Sequence, residues 1–322
     1  MKIINNRFKQ RNFTKFLNLI SLKANQFINL ALNNSQMITK EQFDREIEII
    51  ITNAIREDVG DGDHSSLACI PDGVRGKAKL LVKDKGVIAG VAFAKKVFAY
   101  VDKSLKVDVL IEDGSEVSYG DIVLYVEGSP KSILSAERTV LNAMQRMSAI
   151  ATKTKMFVDL LKGTRTRVLD TRKTTPGIRA LEKWAVKIGG GENHRFALYD
   201  MIMLKDNHID FAGGITKAIE MAKQYLKDTD RDLNIMVEAR DLTEVNEILQ
   251  SDGIYRILLD NFDYEDTRKA VKLIGNKCLT ESSGNINEET IRHYAESGVN
   301  YISCGALTHS VHNMDLSLKA MK

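Results

Sequence analysis

Six short apolar runs recur through the second half of the chain, each closing on polar residues: RVLDTRK, MIMLKDN, IMVEAR, RILLDN, CLTESSG and YISCGAL. Between most of them lie segments with helical spacing: GGITKAIEMAKQYL, TEVNEILQ, YEDTRKAVKLI and NEETIRHYAESG. Strand–helix alternation implies parallel strands, because a strand that re-enters a sheet in the same direction needs a crossover. Near-continuous apolar runs are strands buried on both faces. The repeat predicts an α/β barrel, complete or open. Such a barrel gathers the carboxyl ends of its strands on one rim, where active sites lie. Those ends carry Arg172 and Lys173, Lys205 with Asp206 and Asn207, Glu238, Asp260 with Asn261, Ser282–Gly284, and Ser303–Gly305. One polar ending is an ordinary loop start, whereas six on one rim describe a site.

The first half reads differently. Thr39 and Gln42 form a capping-box pattern ahead of helical spacing that runs to Ile55. Residues 76–127 switch to short β patterns with Gly and Asp at the turns, interrupted by a helical piece around Phe93–Val101. A long helical pattern without Gly or Pro follows over Ser132–Leu161. This is a small α/β domain ahead of the barrel.

Charge is uneven. The chain has net charge +3, yet residues 1–36 hold Lys2, Arg7, Lys9, Arg11, Lys15 and Lys23 without an acid, which leaves the remainder at −3. The segment lacks the small-residue cleavage site of a secretory signal. It reads as a basic N-terminal extension, with Met37 as an alternative start, although an acid-poor, basic, amphipathic stretch also suits an organelle presequence or a membrane-surface helix. A slightly acidic remainder argues against nucleic acid as a partner, and no run of about 18 apolar residues is present to span a membrane. Cys69, Cys278 and Cys304 are odd in number and widely spaced. They read as reduced core thiols of a cytoplasmic protein.

The rim residues specify a ligand class. Arg172, Lys173, His194, Arg195 and Lys205 repel one another unless an anion compensates them, and several together suit a substrate with more than one carboxylate or phosphate. Glu238 and Asp260, on neighbouring strands, suit Mg²⁺, directly or through water, or sugar hydroxyls. The glycines of ESSGN and SCGAL allow backbone N–H groups to approach a phosphate. No Walker-type or dinucleotide glycine loop is present. In the helix between Arg172 and His194, Lys183 and Lys187 read as a solvated face and Trp184 as packing. His208, His293, His309 and His312 have no ligand spacing and read as structural, as does the loop around His64.

The string TRKTTPGIRALEKWAVKIGGGENHR, followed by MLKDNHI, resembles the signature of the quinolinate phosphoribosyltransferase family. The likeness continues through REDVGDGD, ERTVLN, VEAR, LLDN, ESSGNI and ISCGALTHS, over residues 37–322. In GDHSS, His64 departs from the apolar residue usual in the family. The resemblance implies an N-terminal α/β sandwich domain over 37–147 and an open, incomplete α/β barrel of about six to seven parallel strands over 148–305. It also implies a C-terminal segment, 306–322, that packs back on the first domain. The implied reaction moves phosphoribose from 5-phosphoribosyl 1-diphosphate to quinolinate with Mg²⁺, yielding nicotinate mononucleotide, diphosphate and CO₂ in NAD biosynthesis. The implied substrate-binding set is Arg138, Arg172, Lys173, His194, Arg195, Lys205, Glu238, Asp260, Ser282, Ser283, Gly284, Ser303 and Gly305. Lys173, Lys205, Glu238 and Asp260 are the implied catalytic groups, and Glu238 and Asp260 the implied metal acids. Family members form dimers, or hexamers built from them, which brings Arg138 to the partner's site.

Three other readings remain open at this stage. A same-fold protein of molybdate-transport clusters, or a nicotinate-type enzyme, would bind one carboxylate, and the full cation set favours two. A Schiff-base aldolase would use Lys173 or Lys205 as nucleophile. A lipoyl-type carrier would share the rhythm of IEDGSEVSYGDIVLYVEGS but needs a lysine at a hairpin tip, and Ile111–Ser129 has none.

Overall fold

Lys40–Val59 folds as α1 because Thr39 caps it: its hydroxyl accepts from Gln42 N at 3.2 Å, and its own N–H donates to Gln42 Oε1 at 2.8 Å. The structure, a computed structural model, describes residues 38–321; the basic segment 1–36 and Met37 lie outside the described residues. The loop at His64 is the start of a short helix, α2 (His64–Cys69), capped by Asp63, and Cys69 lies exposed at its end rather than in the core.

The first domain continues with β1 (Gly76–Val82), β2 (Gly86–Val87), α3 (Val91–Val101), β3 (Lys106–Val109), β4 (Glu116–Val117) and β5 (Ile122–Gly128). Then comes α4 (Pro130–Leu160), with Ser129 as cap and proline in its first turn. Alternate residues of β1 (Ala78, Leu80 and Val82) are buried, as expected of a strand with one covered face. That face packs on α4, which also packs on α3 and runs on toward the second domain, burying Met144, Met147, Ile150 and Phe157.

The second domain opens with β6 (Arg167–Leu169) and α5 (Arg179–Ile188), followed by β7 (Ile202–Leu204), α6 (Asp206–Ala212), α7 (Ile215–Asp228) and β8 (Ile235–Ala239). It continues through α8 (Leu242–Ile248), β9 (Arg256–Asp260), α9 (Tyr264–Ile274), β10 (Leu279–Ser283), α10 (Ile291–Glu296), β11 (Tyr301–Ser303) and α11 (Ala306–His309). Its six strands are parallel and lie in the order β6–β11–β10–β9–β8–β7. Sequential strands are neighbours except β6 and β7, which form the two edges, so the barrel is open between them. The last strand, β12 (Leu316–Met321), returns to the first domain and pairs antiparallel with β1, giving the sheet β12–β1–β5–β3.

The parallel register fixes what faces inward. Arg256, Leu258 and Asp260 share one face of β9, beside Leu279, Glu281 and Ser283 of β10. Met203, Met236 and Leu258 form an apolar floor with Met201, while Leu169, Leu279 and Tyr301 fill the opposite side. The alternate residues Ile257, Leu259 and Val237 join the large core under the helices.

Candidate active site

Above that floor the strand ends surround a cavity of about 870 Å³. Its lining includes Arg172, Lys173, His194, Arg195, Lys205, Asp260, Ser283, Gly284, Ser303 and Gly305. Three residues expected there are elsewhere. Glu238 is buried beneath the rim, with Oε2 accepting from Lys205 Nζ at 3.0 Å and Oε1 near Asp206 N at 3.5 Å. Ser282 has the opposite strand parity from Ser283, so its hydroxyl is buried without a partner, away from the cavity. Arg138, on α4, lines a separate cavity of about 220 Å³ with Ile50, Phe93, Ile178 and Leu181.

Asn261, expected on the rim beside Asp260, lines the cavity too, and so do Thr171, Glu281, Asn285, Asn287 and His309, which the strand endings do not single out. Glu281 was detectable, because it stands two residues before Ser283 and shares its face. His309 was also detectable, four residues after Gly305 and one helical turn away. It belongs to the cavity wall rather than to the structural histidines. His208 is structural, its Nδ1 accepting from Lys205 N at 3.1 Å at the start of α6.

The segment from Asp170 to Arg195 is built around buried charge. Lys183 is 3% exposed, which overturns its assignment to a solvated face. The reason is that α5 packs against α4 on one side and lies under the His194 loop on the other. Lys183 Nζ donates to Asp170 Oδ1 and, at 2.9 Å, to the carbonyl of His194. Asp170 also accepts from His194 N at 2.8 Å and from the Asn193 amide. Burial pushes the Asp170 carboxyl up and the Lys183 ammonium down, each against the pull of the other's charge. The neighbouring Glu182 is likewise inside. It accepts from Arg146 Nε at 3.0 Å, Thr175 N at 3.0 Å and Thr175 Oγ1 at 2.8 Å, tying the TTPG turn to α4. Lys187 is exposed, and Trp184 packs edge-on to Phe43 at 5.4 Å. The triple glycine lets this loop lie on α4: a Cβ at Gly189 would stand 2.5 Å from Ala151 O.

Burial, with the charge of Arg172 added to it, lowers the Arg195 guanidinium from its ordinary range. Two guanidiniums that repel across a cavity are a place prepared for an anion. On the opposite wall, Gly284 has φ +103, and a Cβ there would fall 2.1 Å from Asn261 Oδ1. Asn261 and Asn285 also take left-handed conformations, at φ 55 and 50. Asn261 N donates to Ser283 O at 2.8 Å and its side-chain amide donates to Asp260 Oδ2 at 2.9 Å. The strained loops thus fix Asp260 and leave bare backbone facing the cavity. Burial pushes the Cys278 thiol up to about 11 and raises Cys304, so neither is a nucleophile.

Fold and rim define an open α/β-barrel protein whose cationic cavity suits polyanionic ligands. The description "Quinolinate phosphoribosyl transferase, C-terminal domain" matches residues 150–319, and its N-terminal-domain counterpart matches residues 63–148. A decarboxylating quinolinate phosphoribosyltransferase 1b of Nicotiana tabacum is 45% identical over 289 residues, covering 85% of this chain and 82% of its own. A chloroplastic, carboxylating nicotinate-nucleotide pyrophosphorylase of Oryza sativa subsp. japonica is 44% identical over 289 residues, covering 85% and 77%. The crystal structure of NadC from Streptococcus pyogenes superposes with TM-score 0.80 at 38% identity, covering 88% of this chain and 99% of that one. The chain belongs to the quinolinate phosphoribosyltransferase family. Among the described residues no helix is long and apolar enough to cross a membrane.

Proposed function

We propose that the protein transfers phosphoribose from 5-phosphoribosyl 1-diphosphate to the ring nitrogen of quinolinate, releasing diphosphate. Loss of one carboxylate as CO₂ then yields nicotinate mononucleotide, a step of de novo NAD biosynthesis. The observation that carries this reading is the grouping of Arg172, Lys173, Arg195 and Lys205 around one cavity with Asp260 on the facing wall. A dicarboxylate and a diphosphate supply the negative charge that this grouping lacks.

In the first step the C1–diphosphate bond breaks while the pyridine nitrogen attacks C1. The cations hold the departing diphosphate, and Asp260 faces the ribose, where positive charge develops. Glu238 acts one bond back by holding Lys205. The second step breaks the ring–carboxylate bond, and its electron pair stays on the carbon beside the quaternary nitrogen, whose charge stabilises it. Lys173 or Lys205 returns a proton to that carbon. Gly284 and Gly305 leave room for the 5-phosphate against backbone N–H groups.

No group of three or more His, Cys, Asp or Glu side chains poised for a metal exists among the described residues. Asp260, on the cavity wall, would hold Mg²⁺ when it is bound, with Glu238 behind it through Lys205. When bound, Mg²⁺ neutralises leaving-group charge. Arg138 lines a different cavity from the one its own chain's cations surround, which supports a homodimer, alone or within a hexamer, in which it reaches the partner's site. Three free thiols support a reducing compartment, and we place the protein in the cytoplasm.

The test incubates the protein with Mg²⁺, quinolinate and 5-phosphoribosyl 1-diphosphate and follows CO₂ and nicotinate mononucleotide. Both products in equal amounts are expected. Turnover of nicotinate but not quinolinate would overturn the assignment.

A further inference from the structure

Below the cationic rim the barrel holds an anion that the proposed reaction does not use. Glu281 is fully buried at the base of the cavity. Its Oε2 accepts from Arg256 Nη1 at 2.5 Å, and Arg256 is itself buried, with its guanidinium 4.2 Å from the ring centre of Tyr301. The other carboxylate oxygen, Oε1, has no hydrogen-bond partner and lies 3.5 Å from His194 Nε2, which is also unpartnered. On the far side of the imidazole, Nδ1 accepts from Arg195 N at 2.7 Å.

These contacts set a direction. A ring nitrogen that accepts an N–H carries no proton, so in the neutral ring Nε2 bears it. The atom facing that proton is Glu281 Oε1, an acceptor. Arg256, Glu281, His194 and the Arg195 backbone therefore form one column from the barrel floor to the rim guanidinium. We infer that Glu281 is a positioning residue that fixes the His194 ring and, through the Arg195 N–H on its other nitrogen, the placement of Arg195 for the substrate carboxylate.

The column makes a specific demand on residue 281. In Glu281→Gln the amide oxygen must face the buried Arg256, which can only donate. The amide NH₂ then faces His194 Nε2, and two donors meet. Adding Arg256→Met frees the amide to turn its oxygen toward His194. The pair Arg256→Met/Glu281→Met removes both buried charges and leaves the ring without an acceptor, while an apolar pair in place of a buried ion pair keeps the fold.

This inference rests on the quinolinate reading, so wild-type turnover of quinolinate is measured first, and its absence would count against that reading rather than the column. In variants whose circular dichroism matches wild type, Glu281→Gln and Arg256→Met/Glu281→Met should raise KM for quinolinate about tenfold, the scale of one buried hydrogen bond left unmade. KM for 5-phosphoribosyl 1-diphosphate should stay within about twofold, and Arg256→Met/Glu281→Gln should recover most of the quinolinate loss. A wild-type KM in Arg256→Met/Glu281→Met would overturn the inference. Independently of any variant at 281 or 256, the ¹⁵N spectrum of the wild-type ring, identified by its loss in His194→Asn, should show the neutral form protonated at Nε2. A proton on Nδ1 would overturn it too.

Discussion

Lys183 Nζ and the carboxylate of Asp170 meet inside the protein, where neither reaches solvent beyond 3% exposure, and the same ammonium binds the carbonyl of His194 at 2.9 Å. A helix-surface lysine is thereby the strut under the site. Lys183→Met strands a buried carboxylate and should cost about 3–5 kcal/mol in urea unfolding. Lys187→Met, exposed on the same helix, should stay within about 0.5 kcal/mol. Adding Asp170→Asn to Lys183→Met should return part of the lost stability. Equal costs for the two lysines would show that the pair has no structural weight.

Gly305 and Lys173 are also coupled. A Cβ at 305 would stand 2.9 Å from Lys173 Cδ and 3.1 Å from the His309 ring. Both neighbours are side chains that can swing aside, so Gly305→Ala should leave stability within about 1 kcal/mol while displacing Lys173. Loss of kcat with an unchanged melting temperature is the expected pattern. Gly284→Ala should instead lose stability and activity together, by roughly 1–3 kcal/mol for the first, because φ +103 and the 2.1 Å approach to Asn261 leave an alanine nowhere to go. An active, stable Gly284→Ala would remove the case for a strained loop there.

Much of this arrangement was readable from strand endings. Polar residues closing apolar runs gave Arg172, Lys173, Lys205 and Asp260 their places, because a parallel barrel forces such endings to one rim. Two of the departures share one physical cause. The glycine-bounded string ESSGN puts Ser282 and Ser283 together as one loop, although side chains on a strand alternate and only one of the two can face the cavity. The same alternation hid Glu281, which looked like strand interior. Helical spacing puts Lys183 on the surface, because spacing alone does not reveal that α5 is covered on two sides. The open edge between β6 and β7 has no local signal at all, since closure depends on how the whole set of strands twists.

Glu281 should leave a mark on acid stability. Burial would raise its carboxyl, but the neighbouring His194 and Arg256 more than offset this and hold it at about 2. A depressed folded value contributes stability that is present above the unfolded value of 4.5 and lost as pH falls toward 2. Wild type should therefore lose roughly 2 kcal/mol more than Arg256→Met/Glu281→Met between pH 4.5 and pH 3. Urea titrations at several pH values measure the difference. Parallel pH dependences would mean that Glu281 is not held ionised in the fold.

The separation of Arg138 from its own chain's cavity is the sharpest test of assembly. Arg138→Ala and Lys173→Ala should each be nearly inactive as pure proteins, because every site in either contains one defect. If Arg138 acts in the partner's site, a hybrid dimer collects both defects in one site and leaves the other intact. Random exchange of equal amounts makes half the dimers hybrids, so about a quarter of wild-type activity should return. Exchange is verified separately by native mass spectrometry of differently tagged subunits. Hybrids that form without activity would place Arg138 outside the shared site and make its separate cavity with Ile50 and Phe93 a purely structural feature.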